Sequence, residues 1–169
     1  MICEYSYLYV YLLCLAFKQG VLYIEGDKMV IYRDRVRFPE TDLMAVVYHA
    51  NYLHWLELGR VAYLRACGID LNELMESGVV TPITEVEVKY HNSCRYDDEY
   101  EVQTTLTGLN KAKMDFSYKV IRVRDGAVAV TANTRNLFTT KDGRVTRLEP
   151  RFYEKLAAFK RQEEAEQTE

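Results

Sequence analysis

Asp42 stands six residues ahead of a polar cluster, Tyr48, His49 and Asn51, that opens a stretch with helical spacing. The start of a helix exposes backbone N–H groups that lack intrahelical partners, and it carries a partial positive charge. Such donors polarise a carbonyl oxygen. A carboxylate beside them can attack the carbonyl carbon or activate a water against it. Spacing alone leaves a plainer reading open, because an aspartate after threonine is a common turn-former and most aspartates are surface groups.

The side chains of Tyr48 and His49 are equally consistent with packing where strand meets helix, so the chemical role rests on their backbone N–H groups. The His49 ring is a further possible donor. Asn51 is a candidate N-cap that fixes the helix start, although His49 could mark the true beginning. Glu57 and Arg60, three apart on the same helix, are spaced for a local ion pair. Cys3, Cys14, Cys67 and Cys94 show no Cys-x-x-Cys spacing and form no metal-ligand pattern with the three histidines. No metal or cofactor is expected, and the thiols are read as reduced in a cytoplasmic protein.

The elements that must position these residues follow from periodicity. Val30–Phe38 alternates, with Arg33, Arg35 and Arg37 on one side and Tyr32, Val36 and Phe38 on the other, up to Pro39. Asn51–Cys67 reads as a long helix, apolar on most sides and therefore buried, with Gly68 as its C-cap. Gly59 in its interior costs about 1 kcal/mol against alanine, a cost that close approach of another backbone would justify. A short helix is expected at Leu71–Glu76. Four strands follow, at Thr84–Tyr90, Glu99–Leu106, Met114–Val123 and Ala127–Thr139. Asp125-Gly126 supplies a tight-hairpin signal between the last two, and Asp97 and Asp98 open the second. Pro150 starts an amphipathic helix to about Phe159, before a solvated acidic tail over 161–169.

Length and composition bound the rest. At 169 residues, 49% hydrophobic and 28% charged, the chain fits one soluble domain. The net charge is −3, and residues 29–159 carry 18 basic and 18 acidic groups. A neutral body offers no general basic face for nucleic acid. Residues 1–28 do not match the rest. Tyr5–Phe17 is uncharged but shorter than the roughly 20 apolar residues of a membrane helix, and it lacks signal-peptide flanks. No membrane association is expected, the rival being a weak anchor. Glu25-Gly26-Asp27-Lys28 could be encoded by a sequence resembling a bacterial ribosome-binding site. The expectation is therefore that translation starts at Met29, that 1–28 is an extension outside the fold, and that the domain spans 29–160.

The element order, with Glu40-Thr41-Asp42, Val47-Tyr48-His49-Ala50-Asn51-Tyr52 and Tyr96-Asp97-Asp98, resembles the 4-hydroxybenzoyl-CoA thioesterase type of hot-dog-fold acyl-CoA thioesterases over about residues 30–160. The resemblance implies an α+β hot-dog fold: a curved antiparallel sheet of about five strands wrapped around one long central helix, with a C-terminal helix. It implies a homodimer or homotetramer that hydrolyses acyl-CoA to free acid and CoA without a metal. Asp42 matches the family's catalytic aspartate, as nucleophile or general base, and the N–H groups near Tyr48 and His49 match its carbonyl-polarising group. Some members place a carboxylate on the helix, which makes Glu57 a second candidate. CoA phosphates need cations, for which Lys111 and Lys113 are the first expectation and Arg144 and Arg147 the second. Two departures stand out: Ala45 where the family often has glycine, and Ser93 in place of a proline. A hot-dog dehydratase or hydratase using His54 and Glu57 remains an alternative, although no His-then-Phe-Pro-Gly run occurs. So does a non-catalytic acyl-CoA binding module.

Overall fold

The computed structural model describes residues 21–23 and 30–166. Tyr5–Phe17 and Met29 lie outside the described residues. In chain order the elements are β1 (Val21–Tyr23), β2 (Val30–Arg35), a 3-10 turn (Phe38–Glu40), α1 (Asn51–Ala66), α2 (Leu71–Glu76), β3 (Val79–Val80), β4 (Ile83–Tyr90), β5 (Glu99–Leu109), β6 (Lys113–Arg122), β7 (Ala127–Leu137), β8 (Thr139–Thr140) and α3 (Pro150–Glu166). The main sheet is antiparallel with order β1-β2-β5-β6-β7-β4, and β3 and β8 form a separate pair. Four of the five expected strands form consecutive neighbours, and the fifth, β4, returns to pair with β7. The sheet wraps α1, so the hot-dog architecture holds. A sixth strand comes from the segment expected to lie outside the fold: Val21–Tyr23 pairs antiparallel with Val30–Tyr32.

The core follows from two periodicities meeting. On β5, Tyr100, Val102, Thr104 and Leu106 alternate inward, and on β6 Met114, Phe116, Tyr118 and Val120 do the same, all buried. They meet Tyr52, Trp55, Leu56, Tyr63 and Leu64 of α1. Trp55 stacks on Tyr100 with centroids 3.8 Å apart. Burying large aromatic faces in this way is a main source of stability. Gly68, at a φ of 70°, ends α1 as expected, and Ile69 N–H donates to the Leu64 carbonyl at 2.9 Å.

Several details differ from the sequence-based expectation. Strand β2 stops at Arg35, because the Phe38–Glu40 turn carries Pro39, and Phe38 ends up exposed rather than inward. Asn51 is not the N-cap: Ala50 holds that position and makes no side-chain cap. Arg60 is buried and Leu53 is exposed although the two lie seven residues apart on the same side of α1, because the sheet residues Tyr118 and Thr134 stand beside the Arg60 end. Val86 and Tyr90, apolar positions in the β4 alternation, are exposed, since β4 is the sheet edge. The turn at Asp125-Gly126 spans four residues, 123–126. The acidic tail is in part structural: α3 runs to Glu166, and Glu163 is buried with its Oε2 accepting from the Tyr63 hydroxyl at 2.5 Å.

Gly59 shows why α1 can lie so close to the sheet. A Cβ at that position would sit 2.6 Å from Thr104 Oγ1 and 2.7 Å from Val102 Cγ1. The close neighbours are β5 side chains rather than backbone. Alanine would gain about 1 kcal/mol of helix propensity, but overpacking typically costs about 1–3 kcal/mol. Both neighbours are short branched side chains on a central strand with little room to give. Gly59→Ala is therefore expected to lower the Tm by a few degrees in a thermal melt. An unchanged or higher Tm would mean that α1 is not held this tightly.

Candidate active site

The residues around Asp42 are organised by Glu40. Its Oε2 accepts from the Arg37 N–H at 2.7 Å, closing a capping box around the 3-10 turn. Its Oε1 accepts from Trp55 Nε1 at 3.0 Å. Its backbone carbonyl accepts from the Tyr48 N–H at 2.9 Å and from Asn51 Nδ2 at 2.8 Å. One residue thus ties the entry to the loop, the exit from the loop and the second turn of α1 together. Asn51 serves the helix start by this cross-link rather than by capping.

The loop itself is tight. Thr41 and Val47 form an isolated antiparallel bridge, the Asp42 N–H donates to the Val46 carbonyl at 2.9 Å, and the Ala45 N–H donates to the Asp42 carbonyl at 3.0 Å. Asp42 Oδ1 accepts from the Met44 N–H at 2.8 Å, the local turn that a bland aspartate would make. Its second oxygen has no protein partner among the described residues, and the side chain is half-buried. The turn reading and the reactive reading are therefore compatible: one oxygen fixes the carboxylate and the other stays open. Ala45 closes the loop at a φ of 56°, the left-handed region that disfavours a Cβ.

The helix start supplies the donors. The Tyr48 N–H is engaged by Glu40, which corrects the expectation that it polarises a substrate carbonyl. The His49 and Ala50 N–H groups have no backbone partner among the described residues. The His49 carbonyl accepts from the Tyr90 hydroxyl at 3.1 Å, and the His49 ring meets those of Tyr48 and Tyr90 at centroid distances of 4.3 and 6.5 Å. Tyr90, on the edge strand, therefore fixes the His49–Ala50 peptide, which carries the open Ala50 N–H. Behind it, the Cys94 N–H donates to the Tyr52 hydroxyl at 3.1 Å, and the Val47 N–H donates to the Cys94 carbonyl at 2.9 Å. Glu40 lay inside the sequence run that carries the resemblance. Tyr90 gave no sequence signal, since its role depends on a fold-back of 41 residues.

The other candidates lie elsewhere. The Glu99 end of β5 pairs with Arg35 beside the loop, while Lys111 and Lys113 follow the Leu109 end, roughly 30 Å away along the strand. Within one subunit they do not join Asp42. Lys113 is also paired to Asp115 at 2.8 Å. Against partial burial, hydrogen bonds from Lys113 and Arg135 hold the Asp115 carboxyl below its ordinary range. Glu57 accepts from Arg60 Nη2 at 3.0 Å, the local pair expected. Burial pushes the Cys94 thiol up to about 11 and the Cys67 thiol higher still. Both stay protonated near neutral pH and do not compete as nucleophiles.

Comparison with known proteins gives a consistent answer. Residues 36–158 match the model of the thioesterase-like superfamily. A protein of Aquifex aeolicus is 35% identical over 115 residues, 68% of this chain and 88% of its own length. The acyl-CoA thioester hydrolase YbgC of Escherichia coli is 30% identical over 91 residues, 54% of this chain and 68% of that protein. Among solved structures, the DHNA-CoA thioesterase of Staphylococcus aureus superposes with a TM-score of 0.73 at 25% identity, covering 82% of this chain and 92% of that one.

Two substitutions test the loop. Ala45→Gly removes a Cβ from a left-handed position, so it is expected to stabilise the protein by about 0.5–1 kcal/mol, read as a higher Tm. A lower Tm would show that the φ of 56° is not adopted in solution. Glu40→Ala leaves the Trp55 indole N–H buried without its acceptor, a loss of about 1–3 kcal/mol. Denaturant titration should show it, and a variant as stable as the parent would remove Glu40 from its organising role.

Proposed function

The chain belongs to the thioesterase-like superfamily, and we propose that it hydrolyses acyl-CoA thioesters through the Asp42 carboxylate and the His49 N–H. The observation that carries this reading is a carboxylate held by the Met44 N–H with one oxygen open, in a loop that Glu40 ties to a helix start with an open amide. The thioester carbonyl oxygen accepts from the His49 N–H, with the Ala50 N–H beside it, at the positive end of α1. Asp42 either attacks the acyl carbon to give a mixed anhydride that water then opens, or takes the proton of a water that attacks directly. In both routes the C–S bond breaks, a C–O bond forms, and the CoA sulfur leaves as thiolate and takes a proton. Ala45 bears on the rival reading, a non-catalytic binding module. Its backbone accepts the left-handed conformation, so the loop closes without glycine.

The reading extends to assembly. Strand β4 is an unpaired edge with Ile83, Val86 and Tyr90 exposed, and exposed apolar edges invite pairing. Two copies joined antiparallel along β4 would form a homodimer, which could associate further into a tetramer. The Ile83 end of one β4 would then lie at the Tyr90 end of the other. Ile83 neighbours Asn136, and Leu137 neighbours Lys113, so the Lys111–Lys113 turn of one copy comes to the side of the other copy's helix start. Lys111, exposed and free of the Asp115 pairing, is the better placed to meet CoA phosphates. Among the described residues no helix is long and apolar enough to cross a membrane. A cytoplasmic site of action is part of the same proposal.

The test is thiol release from a panel of acyl-CoAs, followed with a thiol-trapping dye. Asp42→Asn keeps the shape and the Met44 contact but removes the charge, so kcat/KM is expected to fall by about 10²–10⁴-fold. Circular dichroism should be unchanged. A folded Asp42→Asn protein with full thiol release would sink the assignment.

A further inference from the structure

One side of α1 carries a feature that the hydrolytic chemistry does not use. Leu53, Leu56, Glu57 and Arg60 recur at three- and four-residue spacing, so they share one side of the helix. With His54, Ile83, Val86, Tyr118 and Thr134 they line a cavity of about 190 Å³ between α1 and the sheet. Its walls are mainly apolar, and its inner corner is not. The Arg60 side chain is 8% exposed, its Nη2 donates to Glu57 Oε1 at 3.0 Å, and its Nη1 is buried without any hydrogen-bond partner. A buried guanidinium nitrogen with no acceptor costs several times a surface contact. An arginine held in that state implies an acceptor that arrives from outside the subunit.

The neighbouring groups do not satisfy it. The Thr134 hydroxyl donates to Asn136 Oδ1 at 3.3 Å, so at the 3.1 Å contact between Tyr118 and Thr134 the tyrosine must donate. Burial pushes the Tyr118 hydroxyl up to about 12, so it remains protonated for that purpose. The two hydroxyls are thus engaged with each other and with Asn136, and neither accepts from Arg60 Nη1. The guanidinium charge is already matched by Glu57, so the open N–H groups call for a neutral acceptor, since a second carboxylate would leave the corner with a net negative charge.

The cavity begins at Leu53, one turn below the His49 amide, and ends at Arg60. Side chains of a helix lean toward its N-terminus, which puts the Arg60 guanidinium on the order of 10 Å from the helix tip. We propose that this cavity receives the acyl group and that Arg60 selects acyl groups carrying an uncharged oxygen, a hydroxyl or a ketone, at the end far from the thioester. This rests on the acyl-CoA reading of the Asp42 site. It adds a specificity-determining residue and a class of substrate, medium-length acyl groups with a polar end.

Two measurements test it. In the first, kcat/KM is compared for a medium-chain acyl-CoA, its counterpart with a hydroxyl or ketone near the last carbon, and its counterpart ending in a carboxylate. The neutral oxygenated substrate is expected to lead the plain one by 10-fold or more. Arg60→Met, which keeps the stem and removes the donors, is expected to abolish that lead. A wild-type protein that prefers the plain chain or the carboxylate overturns the proposal, as does an Arg60→Met that slows every substrate equally. The second measurement is calorimetric binding of the same acyl-CoAs to Asp42→Asn, with and without Arg60→Met. If no acyl-CoA is hydrolysed by the parent, the hydrolase reading has failed. A binding preference that depends on Arg60 then still supports the selective pocket, and equal binding of all three refutes it. Should Arg60→Met not fold, the wild-type preference order alone decides.

Discussion

The molecule depends on one half-buried carboxylate having two oxygens and one carbonyl. Glu40 links the Arg37 turn, the Tyr48 amide, the Asn51 side chain and the Trp55 indole, four groups spread over 19 residues of chain. Trp55 is in turn stacked on Tyr100 in the middle of the core. The reactive loop is therefore coupled to the part of the protein that is hardest to deform. A loop of this size on the surface would ordinarily be mobile. Here its two ends are joined through a single residue, and a preorganised site costs little reorganisation when charge develops.

How much of this was legible in the sequence depended on how local the physics is. The strands β5 and β6 and the helices α1 and α2 came out of hydrophobic alternation and helical spacing, since those patterns report which face is buried. Gly68 ended α1 by its left-handed φ, and the expected strain at Ala45 is the φ of 56°. Asp42 could be singled out because turn chemistry and a carboxylate role ask for the same residue. Apart from the Asn51 cap and the end of β2, the misses are non-local. Arg60 is polar by type and buried by position. Glu163 falls in what composition marks as a solvated tail, yet it reaches Tyr63 a hundred residues earlier. Val86 and Tyr90 alternate like core residues and lie on an edge strand. Periodicity says that a face is apolar; it does not say which surface covers it.

The same limit explains the site. Which amide stays open, that of Tyr48 or that of His49, cannot be chosen from sequence, because the choice is made by Glu40, eight residues before Tyr48. Once the Glu40 carbonyl takes the Tyr48 N–H, the His49 N–H on the next peptide is left open, and the Tyr90 hydroxyl holds the carbonyl of the peptide after it, the one that carries the Ala50 N–H. The departure at Ala45 is thereby understandable as well. The loop conformation is imposed by its cross-links, so a residue with a left-handed penalty of about 1–2 kcal/mol can be tolerated at the apex.

Several of the open groups lie together, although Thr104 Oγ1 and Thr139 Oγ1 are also buried without a partner elsewhere. The open edge of β4, the exposed Ile83 and Val86, the exposed Leu53 and the unpartnered Arg60 Nη1 all border the same side of α1. That side starts at the helix tip where the open amides lie. A fold that packs Trp55, Tyr63 and Phe116 at or below 1% exposure is not short of apolar residues with which to finish one more face. On the proposed function, leaving this face incomplete concentrates the free energy of binding where a thioester carbonyl would be held. An acyl group filling the cavity would be oriented along α1, with its thioester at the end of the helix dipole rather than at its side. In that proposal, position along one helix links the selection of the acyl group to the polarisation of its carbonyl.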